Sequence, residues 1–160
     1  MRSFFTNQTA IRGVIMSITV TQLLNKKGME IHTISPDATV FDAIKLMSDL
    51  GVGALLVMEG NRLVGVISER DYTRNVILKG RSSSTTFVQD IMTKKVICLS
   101  PDNNIDECMA LMNENQIRHL PILEKGEVVG VVTIMDVIKN ILSEKEFIIE
   151  QMEHYIAGGS

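Results

Sequence analysis

The sequence predicts an α/β (α+β) fold made of two β-α-β-β-α repeats, packed with pseudo-twofold symmetry around a central cleft. Three observations predict it. Residues 31–77 slide by 65 positions onto 96–142 without a gap, and about a quarter of the aligned positions are identical. Within each copy the apolar pattern alternates between short β-rich runs and one helical face. Glycines fall where paired runs must reverse direction. An internal repeat of this length is one structural unit used twice. A unit of about 50 residues buries too little surface to be secure alone, so two copies are expected to share a core.

The elements follow in order. "VTQLLNKK" (20–27) resembles "VQDIMTKK" (88–95), after which the first copy inserts Gly28-Met29-Glu30. "IHTIS" and "VICLS" are β-rich runs ended by Pro36 and Pro101, since proline biases the residue before it to extended geometry. A helix follows each. Val40, Ala43, Ile44 and Met47 share one face in the first copy; Ile105, Cys108, Met109 and Met112 repeat it in the second. Two apolar runs then form a hairpin around Glu59-Gly60-Asn61, and two more around Lys125-Gly126. A closing helix starts after Ser68 and after Thr133. The boundaries read as an extension at 1–19, repeat 1 at 20–78, a flexible linker at 79–87, repeat 2 at 88–142, and an amphipathic helix and tail at 143–160.

Composition narrows the class. The 160 residues carry a net charge of −3, 4% aromatics and no Trp, which argues against phosphate-driven or base-stacking nucleic-acid binding. No apolar run reaches the roughly 18 residues needed to span a bilayer. Residues 1–15 lack the apolar stretch of a secretory signal, and a cytoplasmic setting is expected. Cys98 and Cys108 sit in apolar patterns without C-x-x-C spacing, which reads as two reduced, buried thiols. His32, His119 and His154 show no metal-ligand spacing, so no metal is expected. No phosphate loop, dinucleotide turn or nucleophile–base pair supports catalysis.

One phrase occurs twice: "GVISERD" at 65–71 and "GVVTIMD" at 130–136. Ser68-x-x-Asp71 and Thr133-x-x-Asp136 fit capping-box spacing, with Asp in place of Glu or Gln. On that reading Gly65 and Gly130 relieve crowding in a strand. The same geometry is also an anion site, because first-turn N–H groups point outward. The hydroxyl can donate to a phosphate, and the carboxylate one turn on can accept from ribose hydroxyls, as in dinucleotide-binding folds. Val66, Ala54 and Val131 could sandwich a flat base. The copies differ where phosphates would lie: Gly53-Ala54 in the first, Arg118-His119 in the second. A cation there supplies charge-assisted bonds. Arg70, with Met135 as its counterpart, adds a cation to the first copy only, so the two sites should differ in affinity.

The stretches "TISPDATVFDAIKLM", "VGALLVMEGNRLVGVISERD", "DIMTKKVICLSPD" and "IRHLPILEKGEVVGVVTIMD" resemble a tandem pair of cystathionine-β-synthase (CBS) domains, standing alone without an enzyme or channel segment. The resemblance covers about Val20 to Leu142. It implies a regulatory module, not an enzyme, that holds an adenine nucleotide (AMP, ADP, ATP or NAD) in the cleft and modulates an unidentified protein partner. It also implies that Ser68, Asp71, Thr133 and Asp136 contact phosphate and ribose. Thr33, Ile34, Leu55, Leu120 and Pro121 join the candidate lining on the same ground. The alternative is a structural dimerisation module with an unliganded cleft. A homodimer is expected, because Ile148, Ile149, Met152, Tyr155 and Ile156 form an apolar stripe that must be covered.

Overall fold

A computed structural model describes residues 18–158. The extension expected over 1–19 therefore lies almost wholly outside the described residues. The elements run α1 Val20–Lys27, β1 Thr33–Ile34, α2 Val40–Leu50, β2 Ala54–Glu59, β3 Arg62–Ser68, α3 Glu69–Tyr72 with a π-helical turn Thr73–Ile77, α4 Val88–Ile91, α5 Ile105–Asn115, β4 His119–Glu124, β5 Glu127–Thr133 and α6 Ile134–Gly158. The predicted β-α-β-β-α order appears in the first copy. In the second, "VICLS" forms no strand and only Leu99 has bridge geometry. Its counterpart β1 is itself two residues long, so losing one rung leaves a lone bridge.

The 65-position shift is visible in burial. β2 and β4 share one exposure pattern along their lengths, and so do β3 and β5. Val40, Ala43 and Met47 are buried on α2, and Ile105, Cys108 and Met112 at the same shift on α5. The hairpins reverse through different turns. Gly60 alone is left-handed in the first (φ 61°), whereas Lys125 and Gly126 both are in the second (φ 52° and 79°), the pattern of a type I′ turn.

The described chain divides into two compact units, and neither follows the repeat boundaries. One takes 18–28, 99–120 and 132–158; the other takes Met29–Cys98 and Pro121–Val131. The cause is an exchange of lead helices. In the first unit α1, from the start of the chain, joins the second copy: Val20 N–H donates to Asn103 O (2.8 Å), Thr21 N–H to Pro101 O (3.1 Å) and Ile105 N–H to Ile18 O (3.0 Å). In the second unit α4 makes the matching bonds to the first copy: Val88 N–H to Ala38 O (2.9 Å), Gln89 N–H to Pro36 O (3.0 Å) and Val40 N–H to Thr86 O (2.8 Å). Each lead helix thereby supplies acceptors and donors for a helix start that would otherwise leave them unpaired. Val88 and Ile91 of α4 lie in one core with Val40, Met47, Leu55, Val57 and Ile67. In the first unit Val20, Leu23 and Leu24 of α1 are buried, and α1 packs on α6.

The segment expected to be a flexible linker is bonded down. Arg81 N–H donates to Val76 O, Thr86 Oγ1 to Ser82 O (2.7 Å), and Phe41 N–H to Ser83 O (2.9 Å). It ends the first closing helix at Gly80 (φ 67°), where the second copy has Lys145, and there α6 runs on to Gly158. The separate C-terminal helix expected at 143–160 is therefore the continuation of the second closing helix.

Two positions test this packing. Gly65 lies under the strand-like bridge of Val66 to Thr93, and a Cβ there would stand 2.6 Å from Met92 Sδ and 3.0 Å from Thr93 O. Gly65→Ala should cost about 1–3 kcal/mol in urea unfolding, since the backbone oxygen cannot swing away. Gln116 ends α5 in the left-handed region (φ 53°), where the first copy ends α2 with Gly51 (φ 68°). Gln116→Gly should raise stability by up to about 1 kcal/mol in the same assay.

Candidate functional site: two capped helix starts

The repeated phrase forms the same device twice. Ser68 N–H donates to Asp71 Oδ2 (2.9 Å), Ser68 Oγ donates to the same oxygen (3.0 Å), and Asp71 N–H donates back to Ser68 Oγ (3.2 Å). Thr133 N–H donates to Asp136 Oδ2 (2.8 Å), and Asp136 N–H donates to Thr133 Oγ1 (3.2 Å). Both are closed capping boxes with Asp as the third residue. The acids also lie in the first turn, at the positive end of the helix dipole. Each carboxylate uses Oδ2 for the cap. Neither Oδ1 accepts a hydrogen bond among the described residues. One oxygen thus holds the helix while the other presents an unused acceptor.

The strand before each hairpin reaches the same place. Glu69 N–H donates to Gly53 O (3.1 Å) and Ile134 N–H to Arg118 O (2.9 Å). Ala54 pairs with Ser68, and Val66 with Leu56, so Ala54 and Val66 share the sheet face of the cap hydroxyl. Thr33 and Ile34 lie one strand over, parallel to Leu56 and Val57. Arg70 sits on the exposed first turn of α3. In the second copy Arg118 is exposed and His119 half-buried. Two candidates do not fit a lining role. Leu55 and Leu120 are 1% and 0% exposed and point into the core, as strand alternation requires of residues beside Ala54 and His119. Pro121 is buried too, while Val131 is half-buried.

The second helix start has a partner that sequence reasoning missed. Lys27, at the end of α1, places Nζ 2.5 Å from Asp136 Oδ2, with the two side chains 25% and 18% exposed. The signal was present as a doubled Lys-Lys, 26–27 and 94–95, but the acid it meets lies 109 positions away. The pair is worth on the order of 1 kcal/mol after solvent screening. Burial pushes the His119 imidazole below its usual range; Asp136 opposes that shift, and Lys27 and Arg118 reinforce it. The second start is therefore a charged group of Lys27, Arg118, His119 and Asp136, all within the first unit, whereas the first start has Gly53 and Ala54 in place of Arg118 and His119. Both cysteines are free, and burial raises both thiols, Cys108 to about 11, which leaves them un-ionised at neutral pH.

The lowered His119 sets a pH dependence. The unfolded chain takes up this proton before the folded one, so stability falls as pH drops from about 6.5 through the lowered folded value, and is constant below it. Thermal unfolding from pH 7 to pH 5 should show a smaller loss in His119→Gln than in wild type. Equal losses would show that His119 protonates as readily folded as unfolded.

Residues 20–77 and 88–143 each match the CBS domain family. The chain is 38% identical to the mitochondrial CBS domain-containing protein CBSX3 of Arabidopsis thaliana, over 89% of this chain and 74% of that one. A solved CBS-domain structure from Burkholderia ambifaria is 46% identical, covers 79% of this chain and 95% of its own, and superposes with a TM-score of 0.77. The CBS domain protein PAE2072 of Pyrobaculum aerophilum, solved with AMP, shares the fold at a TM-score of 0.67 and 24% identity, over 74% of this chain and 89% of its own. With the same capped helix start built twice, 65 residues apart, the chain belongs to the CBS-domain family and carries two such domains in tandem.

Proposed function

We propose that the chain is a regulatory module whose capped helix starts bind the ribose and phosphate of an adenine nucleotide, AMP or NAD, and report its presence to a protein partner. One observation carries the reading: each Asp spends one carboxylate oxygen on its cap and keeps the other as an acceptor at the helix start. Capping and binding are therefore compatible duties of one residue. The ribose hydroxyls would donate to Oδ1 of Asp71 or Asp136, and the phosphate would lie toward Ser68 and Arg70, or toward Thr133, Arg118, His119 and Lys27. Ala54, Val66, Thr33, Ile34 and Val131 would flank the base. The AMP complex of a protein sharing this fold supports the ligand class. We propose a homodimer as the working unit.

A second reading has its own observation. Both capping boxes are closed by the chain's own groups, as a purely structural dimerisation module would need. Ligand binding separates the two. AMP at 100 times its Kd would add about 2.7 kcal/mol of apparent stability, while the structural module would show no thermal shift. Asn in place of each Asp keeps the cap shape but removes the charge and weakens the open acceptor. A hydrogen bond to a charged group is worth roughly 1.5–3 kcal/mol, so AMP affinity should fall about tenfold or more at the altered site. Asp136→Asn should also lower the melting temperature more than Asp71→Asn, because only Asp136 holds Lys27. Unchanged AMP affinity in both variants would remove the ribose role.

A further inference from the structure

The buried face of α6 runs on past its cover. Val137 and Asn140 are buried, Ile141 and Glu144 half-buried, and over this stretch α1 and α5 pack on α6. Val137, Ile141 and Glu144 continue at spacings of four and three as Ile148, Gln151 and Tyr155, the seam of a helix packed along another segment. Beyond Glu144 the seam is open. Ile148, Met152 and Tyr155 are 37%, 62% and 84% exposed, and with Phe147, Gln151 and Ile156 they line a groove of about 280 Å³. At about 100° per residue, Leu142 and Ile149 stand roughly 120–140° from the seam's centre and form no part of it. The chain that leads into α1 arrives where the cover stops. Ile18 O accepts from Ile105 N–H (3.0 Å) at the start of α5. The next residue, Asp106, acts on Glu144: partial burial first and then the Asp106 carboxylate push the Glu144 carboxyl up, while Lys26 pulls it down. From there α1 runs to its end at Lys27 on Asp136, antiparallel to α6. The residues before Ile18 therefore lead toward the C-terminal end of α6.

We propose that residues 1–17 turn back along α6 and cover the Ile148–Met152–Tyr155 groove of their own chain. Their reach is sufficient: Glu144 to Ile156 is about 18 Å of helix, and 17 residues span about 25 Å even when helical. Their composition fits the groove, with Phe4, Phe5, Ile11, Val14, Ile15 and Met16 apolar and Arg2 and Arg12 the only charges. The charges are opposite in sign. Residues 143–158 carry Glu144, Glu146, Glu150 and Glu153 against Lys145, together with His154. Glu144 stands in the seam beside Asp106. Lys145 and His154 flank the seam, and the other three glutamates face away, so the attraction centres on Glu144 and the rest acts at longer range. A second copy of α6 would bring the same acids to this place, whereas residues 1–17 bring cations and no acid. Continuity of the seam, the exit point at Ile18 and charge thus select one occupant. The inference is independent of nucleotide binding.

Hydrogen exchange on the full chain tests it. Ile11→Asp/Ile15→Asp removes apolar contact from the segment and changes no residue of α6. The amides of Ile148, Gln151, Met152 and Tyr155 should exchange about tenfold or more faster in this variant than in wild type. Wild-type protection should be the same at two protein concentrations about tenfold apart, because a segment of the same chain is not diluted. The amide of Ile105, bonded to Ile18, should keep its protection in the variant. Equal exchange in variant and wild type overturns the proposal. So does wild-type protection that falls on dilution, which would give the groove to a second copy. A loss that spreads equally to Ile105 also overturns it, since the segment would then support the whole unit rather than cover the groove.

Discussion

The exchange of lead helices is the constraint on which the rest depends. The first helix inside each copy, α2 or α5, starts with backbone groups that need partners, and the partners come from the segment that leads into the other copy. Ile105 N–H finds Ile18 O, and Val40 N–H finds Thr86 O. These bonds join positions separated by 87 and 46 residues, so the two copies cannot be laid out as separate halves of the chain. The same exchange carries Lys27 to Asp136. A charge near the N-terminus thereby becomes part of a site near the C-terminus.

The two helix starts are built on one plan and filled differently. Their caps share the same two backbone bonds, and only Ser68 adds a bond from its hydroxyl, because a strand that ends in Ser or Thr and turns into a helix must satisfy the same first-turn donors. What surrounds the caps diverges: glycine and alanine beside Ser68, arginine and histidine beside Thr133, with Lys27 closing on Asp136 alone. The two helix starts therefore differ in charge while keeping one backbone plan. On the proposed function a helix cap and a ligand contact would use different oxygens of one carboxylate.

Much of this was legible in the residues. The repeat, the two hairpins, the buried faces of α2 and α5, and the caps all follow from local pattern, and local pattern is what a sequence shows. Gly65 was read as relief of crowding, and Met92 and Thr93 are the atoms that crowd it. The misses are of another kind. "VICLS" has strand composition, yet a strand needs rungs supplied from elsewhere. Glycine announces the left-handed end of α2 at Gly51, but Gln116 does the same work with no signal in its identity. Lys27 was visible as part of a doubled Lys-Lys, and its partner was not, because the pairing depends on the exchange. Leu55 and Leu120 followed the family pattern into the candidate lining, although strand alternation sends both into the core.

Native-state hydrogen exchange on Leu24→Ala tests the exchanged architecture most directly. Leu24 is 2% exposed on α1, and its truncation should cost about 2–5 kcal/mol. The exchanged arrangement predicts that the cost falls on the second copy: the amide of Ile105 loses protection, while that of Val40 keeps it. Protection lost at Val40 and kept at Ile105 would place α1 on its own copy and contradict the account.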